Sequence, residues 1–471
     1  MSPTKLWSGL GLIAPLGAWL LGDMPRGIDG ISIDTRTLQP GDLFFPIKGD
    51  ARDGHDYVTQ AFAKGAAGAV VDEAHATQLR GAGPLFIVRN VQDSMVALGV
   101  AARQRSKASI IAVTGSAGKT TTKEALSIVL SPLGENHASA ASYNNHWGVP
   151  LSLARLPRTA RFGIFEIGMS HAGEITPLVA QVRPHVAIVT TIAPVHLEHF
   201  ASLDAIAAAK AEIFSGLEPG GVAIINHDVP QFALLREAAR QSPAARILTF
   251  GETPDADASL RGLVATPDGS LAEARLFGHK IGFAIGAPGK HMALNALAVL
   301  LAASAVGADV AAAARRLADF KPGQGRGARF NLPVEDGTVL IIDESYNANP
   351  ASMRAALGLL GAAAAGRAGR RIAVLGDMLE LGADGRAMHA ALAQDILAYS
   401  IDLVFAAGPL MKKLYDALPK DRRGHWAPHA AGLEAPLAKA LRPGDVAMVK
   451  GSNGSRMGPL LAALKQHFGQ A

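Results

Sequence analysis

The stretch SIIAVTGSAGKTTTKEALSIVL, residues 109–130, limits the possible folds of this chain more than any other segment. An apolar run rich in β-branched residues enters a glycine-containing loop, and residues with helical spacing follow directly. This order predicts a buried strand, a phosphate-binding loop and a helix, as in a mostly parallel α/β sheet. Glycines in such a loop let backbone N–H groups approach phosphate oxygens, and the helix N-terminus adds about half a positive charge. The segment therefore predicts that the chain binds a nucleoside triphosphate.

The loop departs from the common pattern G-x-x-x-x-G-K-[ST], because Val113 stands where the first glycine is expected. This departure favours a narrower class than the general set of phosphate-binding loops. Lys119 is predicted to reach the terminal phosphates, and the Thr120 hydroxyl is predicted to ligate Mg²⁺. The residues predicted to hold the nucleotide at this loop are Thr114, Gly115, Ser116, Ala117, Gly118, Lys119, Thr120 and Thr121.

The chain has 471 residues, a length that predicts about three domains. Strand-like and helix-like runs alternate along it, and proline and glycine concentrate in DFKPGQGRG as they do in linkers. We expect a small N-terminal α/β domain (residues 1–107), a central mostly parallel-sheet ATP-binding domain (108–322) and a C-terminal Rossmann-like α/β domain (323–471).

Composition excludes several classes of protein. With no cysteine, the chain has neither disulfides nor a cysteine-ligated metal site. A net charge of +5, spread along the chain, and 5% aromatic residues argue against a nucleic-acid partner. The apolar segment LWSGLGLIAPLGAWLLG is interrupted by proline and glycine and falls short of the ~20 residues that a membrane span needs. We expect it to form a buried N-terminal helix, in a chain that does not cross a membrane.

Motifs in one order along the chain resemble those of the Mur ligase family and its folylpolyglutamate synthetase relatives. They are TGSAGKTTTKE, ASYNNHWGVP, FEIGMSHAGEI, APVHLEHFASLDAIAAAKAEIF and GKHMALNALAV. Within the family, DESYNANPASM, GDMLELG, SIDTRTLQPGDLFFPIKG and DGHDY resemble the subclass that adds D-alanyl-D-alanine. The resemblance spans residues 30–456, nearly the whole chain.

This resemblance implies an ATP-dependent amide ligase that joins D-alanyl-D-alanine to UDP-N-acetylmuramoyl-tripeptide through an acyl phosphate. The product is the pentapeptide precursor of peptidoglycan, and the implied enzyme is a cytoplasmic monomer with no nucleic-acid partner. The alternatives are another amino-acid-adding ligase of the family, including the folylpolyglutamate type, a nucleic-acid-dependent NTPase and a binding module without chemistry.

The implied reaction needs divalent cations. Phosphorylation brings an anion towards a polyanion, and two unit charges 4 Å apart repel by about 4 kcal/mol at an effective dielectric constant of 20. One lysine cannot offset several such terms, so Mg²⁺, in this family two ions, is expected as an electrostatic clamp. The resemblance implies catalytic roles for Lys119, Glu166, His196 and Lys210, and metal-binding roles for Thr120, Glu166, His196 and Lys210. It also implies that Lys210 is carbamylated, which would make this cation an anion.

For the nucleotide, the resemblance implies that Asn295 contacts the adenine and that Asp343 contacts the ribose. Arg326 is expected at the γ-phosphate or in domain closure, with Arg329 an equal competitor by spacing. Met292 replaces an asparagine of the family pattern, which leaves the role of His291 open. Ser170, where many relatives carry asparagine, is a second departure.

Substrate contacts are implied in all three predicted domains. The resemblance assigns the uridine nucleotide to the N-terminal domain, and the alternative interpretation of those residues is a tight turn at the start of a strand. Polar residues that follow strands of an open α/β sheet are typical of ligand sites. The implied substrate residues are Ser32, Asp34, Thr35, Arg36, Lys48, Gly49, Asn144, Asn145, Tyr346, Asn347 and Asn349, with Asp377 and Glu380 nearby.

Overall fold

The structure, a computed structural model, describes residues 5–49, 52–140, 142–195, 197–266, 269–366 and 368–469. Within these ranges the strands form sheets of two, five, nine and six strands. Helices cover the larger sheets, so the predicted α/β class is confirmed. None of the helices in the described ranges is long and apolar enough to cross a membrane.

The N-terminal part is a small sheet with helices. Its five-stranded sheet has the order β2-β7-β6-β5-β4, in which only β2 runs antiparallel. The elements are β1 (Trp7–Ser8), α1 (Gly9–Leu16), β2 (Trp19–Leu21), β3 (Gly27–Ile28), β4 (Gly30–Ser32), β5 (Asp42–Phe44), α2 (Val58–Ala63), β6 (Gly68–Asp72), α3 (Glu73–Ala76), β7 (Leu85–Val88) and α4 (Val91–Arg105).

The predicted N-terminal helix is shorter than expected. Ser8 caps its start, and Gly17, at φ 62°, ends it in the left-handed region that favours glycine. Leu12 is fully buried, but Leu10 on the opposite side is 76% exposed. The rest of the apolar segment forms short strands, so only one face of this helix contributes to the core.

The central part contains the nine-stranded sheet, in the order β16-β15-β14-β13-β12-β11-β8-β10-β9. Its first elements are β8 (Ser109–Thr114), α5 (Lys119–Leu130), β9 (Asn136–Ala138), α6 (Gly148–Ala154), β10 (Phe162–Glu166), α7 (Ile175–Val182), β11 (Val186–Val189), α8 (Leu203–Ala211), β12 (Val222–Asn226) and α9 (Phe232–Arg240). They are followed by β13 (Arg246–Gly251), β14 (Ala258–Thr266), β15 (Gly269–Leu276), β16 (His279–Ile285), α10 (Lys290–Ala305) and α11 (Val310–Arg316).

Strand β8 lies between β10 and β11, and all three run parallel. Their carboxyl ends therefore open at the same edge of the sheet. The strands that follow β8 in the sheet lie on opposite sides of it, β10 on one side and β11 on the other. This edge is therefore a topological switch point, where open α/β sheets bind ligands. The phosphate-binding loop thus lies between the loops that follow β10 and β11.

The C-terminal part has the sheet order β17-β18-β22-β19-β20-β21, with only β17 antiparallel. The elements are β17 (Ala328–Val334), β18 (Gly337–Glu344), α12 (Pro350–Ala362), β19 (Arg371–Gly376), α13 (Gly385–Ala398), β20 (Leu403–Ala407), α14 (Met411–Ala417), β21 (Arg423–Ala427), α15 (Glu434–Ala440), β22 (Val446–Lys450) and α16 (Met457–His467). Buried apolar clusters lie on both sides of this sheet, as in the Rossmann-like α/β fold that the sequence predicts here.

Candidate active site

A cavity of about 830 Å³ lies at the switch-point edge. Residues of all three sheet-containing parts line it: Gln92 from α4, the phosphate-binding loop from the central part, and Tyr346 from the C-terminal part. Such a volume is within the range of small-molecule sites. The cavity therefore gathers at one place residues that are more than 200 positions apart in the sequence.

Two glycines shape the phosphate-binding loop. Gly115 has φ 148°, and a Cβ atom there would lie 1.9 Å from the Thr190 hydroxyl. Gly118 has φ 83°, and a Cβ atom there would lie 2.7 Å from the Asn295 amide nitrogen. A side chain at either position would push the loop away from its neighbours, so the sequence motif has a direct packing reason.

Two loop side chains hold the loop in place. The Ser116 hydroxyl donates to the Ala193 carbonyl at 3.0 Å, and the Ser116 N–H donates to the Thr191 carbonyl at 2.8 Å. Lys119 folds back so that its Nζ donates to the Gly115 carbonyl at 2.7 Å. Burial lowers the pKa of Lys119, while nearby Glu166 acts in the opposite direction. In this conformation the lysine lies against the loop at the start of α5.

Glu166, at the end of β10, meets the start of α5. Its carboxylate accepts from the Thr120 hydroxyl at 2.7 Å and from the Asn144 amide at 2.7 Å, and its side chain is 2% exposed. Hydroxyl and carboxylate oxygens are the hard ligands that Mg²⁺ prefers. This pair therefore fits a magnesium ion, and Asn144 orients the carboxylate instead of pointing freely into the cavity.

Lys210 lies near the end of α8 and is 2% exposed. Burial, and then the charge of Lys119, lowers its pKa well below the usual value. Among the described residues no carboxylate lies within ion-pair distance of it. The amine is therefore held in surroundings that disfavour its charged form. His196, the other metal ligand implied by the sequence, lies outside the described residues.

Arg326 connects the C-terminal part to the central part. Its guanidinium donates to the Ser142 hydroxyl at 2.9 Å and lies 3.9 Å from the centre of the Tyr346 ring. The same Ser142 hydroxyl is 3.4 Å from the Thr120 hydroxyl. Arg326 lines the large cavity, whereas Arg329 lines only a small neighbouring cleft. The geometry thus separates two arginines that spacing left equal.

Other predicted residues are engaged by their own chain. Asp343 accepts from the Gly325 N–H at 2.8 Å and from the Ser345 hydroxyl at 2.6 Å, and it does not line the cavity. Asn349 lines the cavity while its side chain caps α12 through the Ser352 N–H at 2.9 Å. Asn347 lines it too, and its carbonyl accepts from Lys450.

Asn145 differs in role from its neighbour Asn144, whose amide donates to Glu166. The Asn145 side chain accepts from the N–H groups of Trp147 and Gly148 at the start of α6, so it organises a turn. Asn295, by contrast, lines the cavity beside Gly118, where the resemblance expected the adenine contact. Thr121, His291 and Met292 line the cavity as well. Asp377 lies outside the cavity, and its carboxylate accepts from the Met411 N–H at 2.6 Å.

The predicted uridine-nucleotide residues form a hydrogen-bonded turn after β4. The Ser32 hydroxyl bonds the backbone of Asp34, Asp34 holds the Arg36 guanidinium, and the Thr35 hydroxyl donates to Gln60 at 2.8 Å. The Arg36 side chain is 87% exposed. Lys48 and Gly49 lie on the short bridge that pairs Lys48 with Asp53. These residues do not line the large cavity.

Three cavity residues had no place in the sequence interpretation. Glu344 and Lys450 form an ion pair of 3.1 Å with side chains 17% and 3% exposed, and Ser142 links Arg326 to the phosphate-binding loop. Glu344 and Lys450 end neighbouring parallel strands. Polar residues at such strand ends are a signal that could have identified them.

A histidine cluster outside the cavity is a weaker candidate for a metal site. Ligand atoms of Asp53, His55 and His75 lie within 4.8 Å of one another. The two rings are stacked, with centroids 3.9 Å apart and planes inclined by 7°. Lone pairs of parallel stacked rings do not converge on one ion, and both ring nitrogens of His55 already bond Asp53 and the Asp72 N–H. This cluster instead fixes the backbone around the turn at Asp53.

Comparison with known proteins agrees with this geometry. The family descriptions "Mur ligase family, catalytic domain", "Mur ligase middle domain" and "Mur ligase, glutamate ligase domain" match residues 27–131, 113–303 and 328–453. The UDP-N-acetylmuramoyl-tripeptide–D-alanyl-D-alanine ligase of Escherichia coli (strain K12) is 34% identical over 93% of this chain and 94% of its own length. The chain belongs to the Mur ligase family.

Other relatives give the same result. The ligase of the same name from Rickettsia prowazekii (strain Madrid E) is 31% identical over 91% of this chain and 93% of its own length. The crystal structure of MurF from Acinetobacter baumannii superposes with a TM-score of 0.83, at 28% identity, and covers 98% of this chain and 100% of that chain. As a Mur ligase, the protein is an enzyme that forms an amide bond, and its fold is that of the MurF structures.

Proposed function

We propose that this Mur ligase joins D-alanyl-D-alanine to UDP-N-acetylmuramoyl-tripeptide at the expense of ATP, releasing ADP and phosphate. The observation that carries the proposal is the hydrogen-bonded pair of Thr120 and Glu166 at the head of the glycine loop, 2.7 Å apart, inside a cavity lined by all three parts of the chain. The similar ligases of Escherichia coli and Rickettsia prowazekii carry the name of this reaction.

The proposed reaction has two steps, phosphoryl transfer and then attack by the amine. A carboxylate oxygen of the tripeptide attacks the γ-phosphorus of ATP, the bond to the bridging oxygen breaks, and ADP leaves. The amine of the dipeptide then attacks the acyl carbon, phosphate leaves with the carboxylate oxygen, and the amine loses a proton. The backbone N–H groups of the loop and Lys119 bind the phosphates, while Arg326 carries positive charge to the same cavity.

Thr120 and Glu166 are the residues that would hold Mg²⁺, and Asn144 keeps the carboxylate in its orientation. When bound, the ion supplies electrostatic stabilisation of the transferring phosphoryl group. His196 and a carbamylated Lys210 complete the proposed ligand set for a second ion. The burial of Lys210, with no described carboxylate within ion-pair distance, supports carbamylation, since burial favours the neutral amine. A neutral amine takes up CO₂ and releases a proton.

Adenine is assigned to the side of the cavity at Asn295, which lies beside Gly118. The amine substrate is assigned to the wall of Tyr346, Asn347 and Asn349. The uridine nucleotide is assigned to the turn of Ser32, Asp34, Thr35 and Arg36, with Lys48 and Gly49. The Asp343 ribose contact lacks support, since the hydrogen bonds of its carboxylate are made within its own chain.

We assign the three domains to residues 1–107, 108–322 and 323–471, because each range contains the strands of its own sheets. The enzyme is proposed to act as a monomer in the cytoplasm, where its nucleotide substrates are made, without a nucleic-acid partner.

The test is a product assay. The chain is incubated with ATP, Mg²⁺, UDP-N-acetylmuramoyl-tripeptide and one amine at a time, and product mass and ADP are measured. We expect turnover with D-alanyl-D-alanine and none with single amino acids. Turnover with a single amino acid instead would assign another ligase of the family, and ATP hydrolysis driven by single-stranded DNA alone would overturn the proposal.

A further inference from the structure

Lys123, one turn after Lys119 on α5, is buried although it carries a charge. Its side chain is 3% exposed, and a lysine is almost never buried to that extent unless it is paired. The reaction steps above use Lys119 and leave Lys123 without a role. A buried charge of this kind needs a reason, because removing it from water is costly.

The partners of Lys123 are parts of the active site. Its Nζ donates to the Ser139 carbonyl at 2.7 Å and lies 3.9 Å from the nearer oxygen of Glu166. The Glu166 side chain is 2% exposed, so water screens this attraction little. The positive charge thus stands near Oε2 of Glu166, the oxygen that also accepts from the Thr120 hydroxyl, while Asn144 donates to the other oxygen.

Ser139 begins the segment that supplies other contacts of the site. Its N–H donates to the Ile164 carbonyl of β10 at 3.1 Å, which ties the segment to the strand that carries Glu166. Three and five residues further on, Ser142 accepts from Arg326 and Asn144 donates to Glu166. Lys123 therefore holds both Glu166 and the start of the segment that supports it.

We propose that Lys123 is a positioning residue: it fixes the Glu166 carboxylate and the backbone at Ser139 in the arrangement that binds the magnesium form of the nucleotide. This inference rests on the proposed function only in taking Glu166 as the magnesium carboxylate. Lys123 itself does not line the cavity, whereas Lys119 does.

The test measures nucleotide binding instead of turnover. The affinity for β,γ-methylene ATP is determined by titration calorimetry, once with Mg²⁺ and once with EDTA. The ratio of the two affinities is the magnesium gain. In Lys123→Met we expect the magnesium gain to fall by about tenfold or more, as it does when a group that orients a metal ligand is removed. The affinity in EDTA should stay close to that of the native chain, because Lys119 and the loop are retained.

Three further variants make the result specific. Lys280→Met removes an exposed lysine from the edge strand β16 and should leave both affinities unchanged. Asn144→Ala should lower the magnesium gain, and its effect combined with Lys123→Met should be less than additive, because both residues act on one carboxylate. Lys123→Gln replaces Lys123→Met if the methionine variant does not fold, and it carries the same expectation.

Glu166→Gln separates the failure of this inference from failure of the proposed function. If Glu166→Gln lowers the magnesium gain and the Lys123 variant does not, the positioning role is wrong and the Glu166 assignment stands. If Glu166→Gln keeps the full gain, the Glu166 assignment itself fails and the inference falls with it. Equal losses with Mg²⁺ and with EDTA in the Lys123 variant would also overturn the positioning role, because they indicate a general packing defect.

Discussion

At the scale of single residues, Gly168 leaves room for the Asn144 amide that donates to Glu166. A Cβ atom at Gly168 would lie 2.9 Å from the Asn144 amide carbon, closer than such contacts allow. Gly168→Ala should therefore displace the Asn144 amide and lower kcat by about tenfold, the lower range for disturbing a group that orients a metal ligand.

Steady-state kinetics check this prediction. Gly282→Ala is the matched control, because its added Cβ would meet its nearest atom, the Ala272 carbonyl oxygen, at an ordinary 3.9 Å. Unchanged kcat in Gly168→Ala would contradict this prediction.

Lys210 gives a prediction that depends on a covalent modification. Its burial lowers the pKa of the amine and so favours the neutral form that reacts with CO₂. The carbamate would supply a negative charge that no described carboxylate supplies within ion-pair distance. Lys210→Ala should lose most activity, and a short-chain carboxylic acid should restore part of it. The exposed Lys107 provides the control variant, Lys107→Ala.

Two results would contradict the carbamate. One is full activity of Lys210→Ala without any added acid. The other comes from mass spectrometry of the native enzyme, with carbamates first trapped by alkylation. It is a Lys210 peptide whose mass lacks the trapped carbamate although the enzyme turns over at its normal rate.

At the scale of elements, helix α4 binds the N-terminal part to the central part. Arg103, 5% exposed on α4, donates to the Val182 carbonyl at 2.8 Å and the Arg183 carbonyl at 2.7 Å, at the end of α7. Arg103→Met would leave these carbonyls without a donor, so the free energy of unfolding should fall by about 2 kcal/mol. Urea denaturation measures the loss.

Arg315→Met, which changes an exposed arginine at the end of α11, should leave the free energy of unfolding within about 0.5 kcal/mol of native. An equal effect of the two substitutions would contradict a special role for Arg103. Loss of activity in Arg103→Met without loss of stability would point instead to a direct role in the reaction.

The elements also show what the sequence could predict. The strand–loop–helix from β8 to α5 was predictable because a strong apolar run, glycines and helical spacing all agree. The antiparallel strands β14, β15 and β16 were not recognised, although buried and exposed residues alternate along β15 and only Phe277 and Gly278 separate β15 from β16. This two-residue turn has the sequence Phe-Gly, which lacks the Asn-Gly or Asp-Gly pair that signals a hairpin most strongly. The parallel strands were easier, since strands buried on both sides form continuous apolar runs.

The candidate site, too, was predictable from the sequence only in part. Thr120 and Glu166 were expected as a pair, and their side chains meet at 2.7 Å. Asp343 was expected at the nucleotide, yet its carboxylate serves a local turn, because residue type alone does not tell whether neighbouring N–H groups use it. Lys123 gave no signal, since a lysine on a helix is normally exposed and only the packing of β9 and β10 buries it.

At the scale of the whole molecule, Arg326 connects the C-terminal part to the start of α5 through the Ser142 hydroxyl. Arg326→Lys keeps the charge but loses the planar group that lies over Tyr346. We expect kcat to fall by about tenfold, because one transition-state contact weakens. Arg329→Lys should change kcat less, since Arg329 does not line the large cavity. Equal losses of kcat in the two variants would contradict a specific role for Arg326 in the reaction.

The central claim is that the cavity brings the γ-phosphorus of ATP to a peptide carboxylate, and isotope transfer tests it most directly. The tripeptide carboxylate is labelled with oxygen-18, the reaction is run to completion with D-alanyl-D-alanine, and the released phosphate is analysed by mass spectrometry. Because the acyl–oxygen bond breaks when the amine attacks, one labelled oxygen should appear in each phosphate. Phosphate without label, formed together with the amide product, would contradict the account.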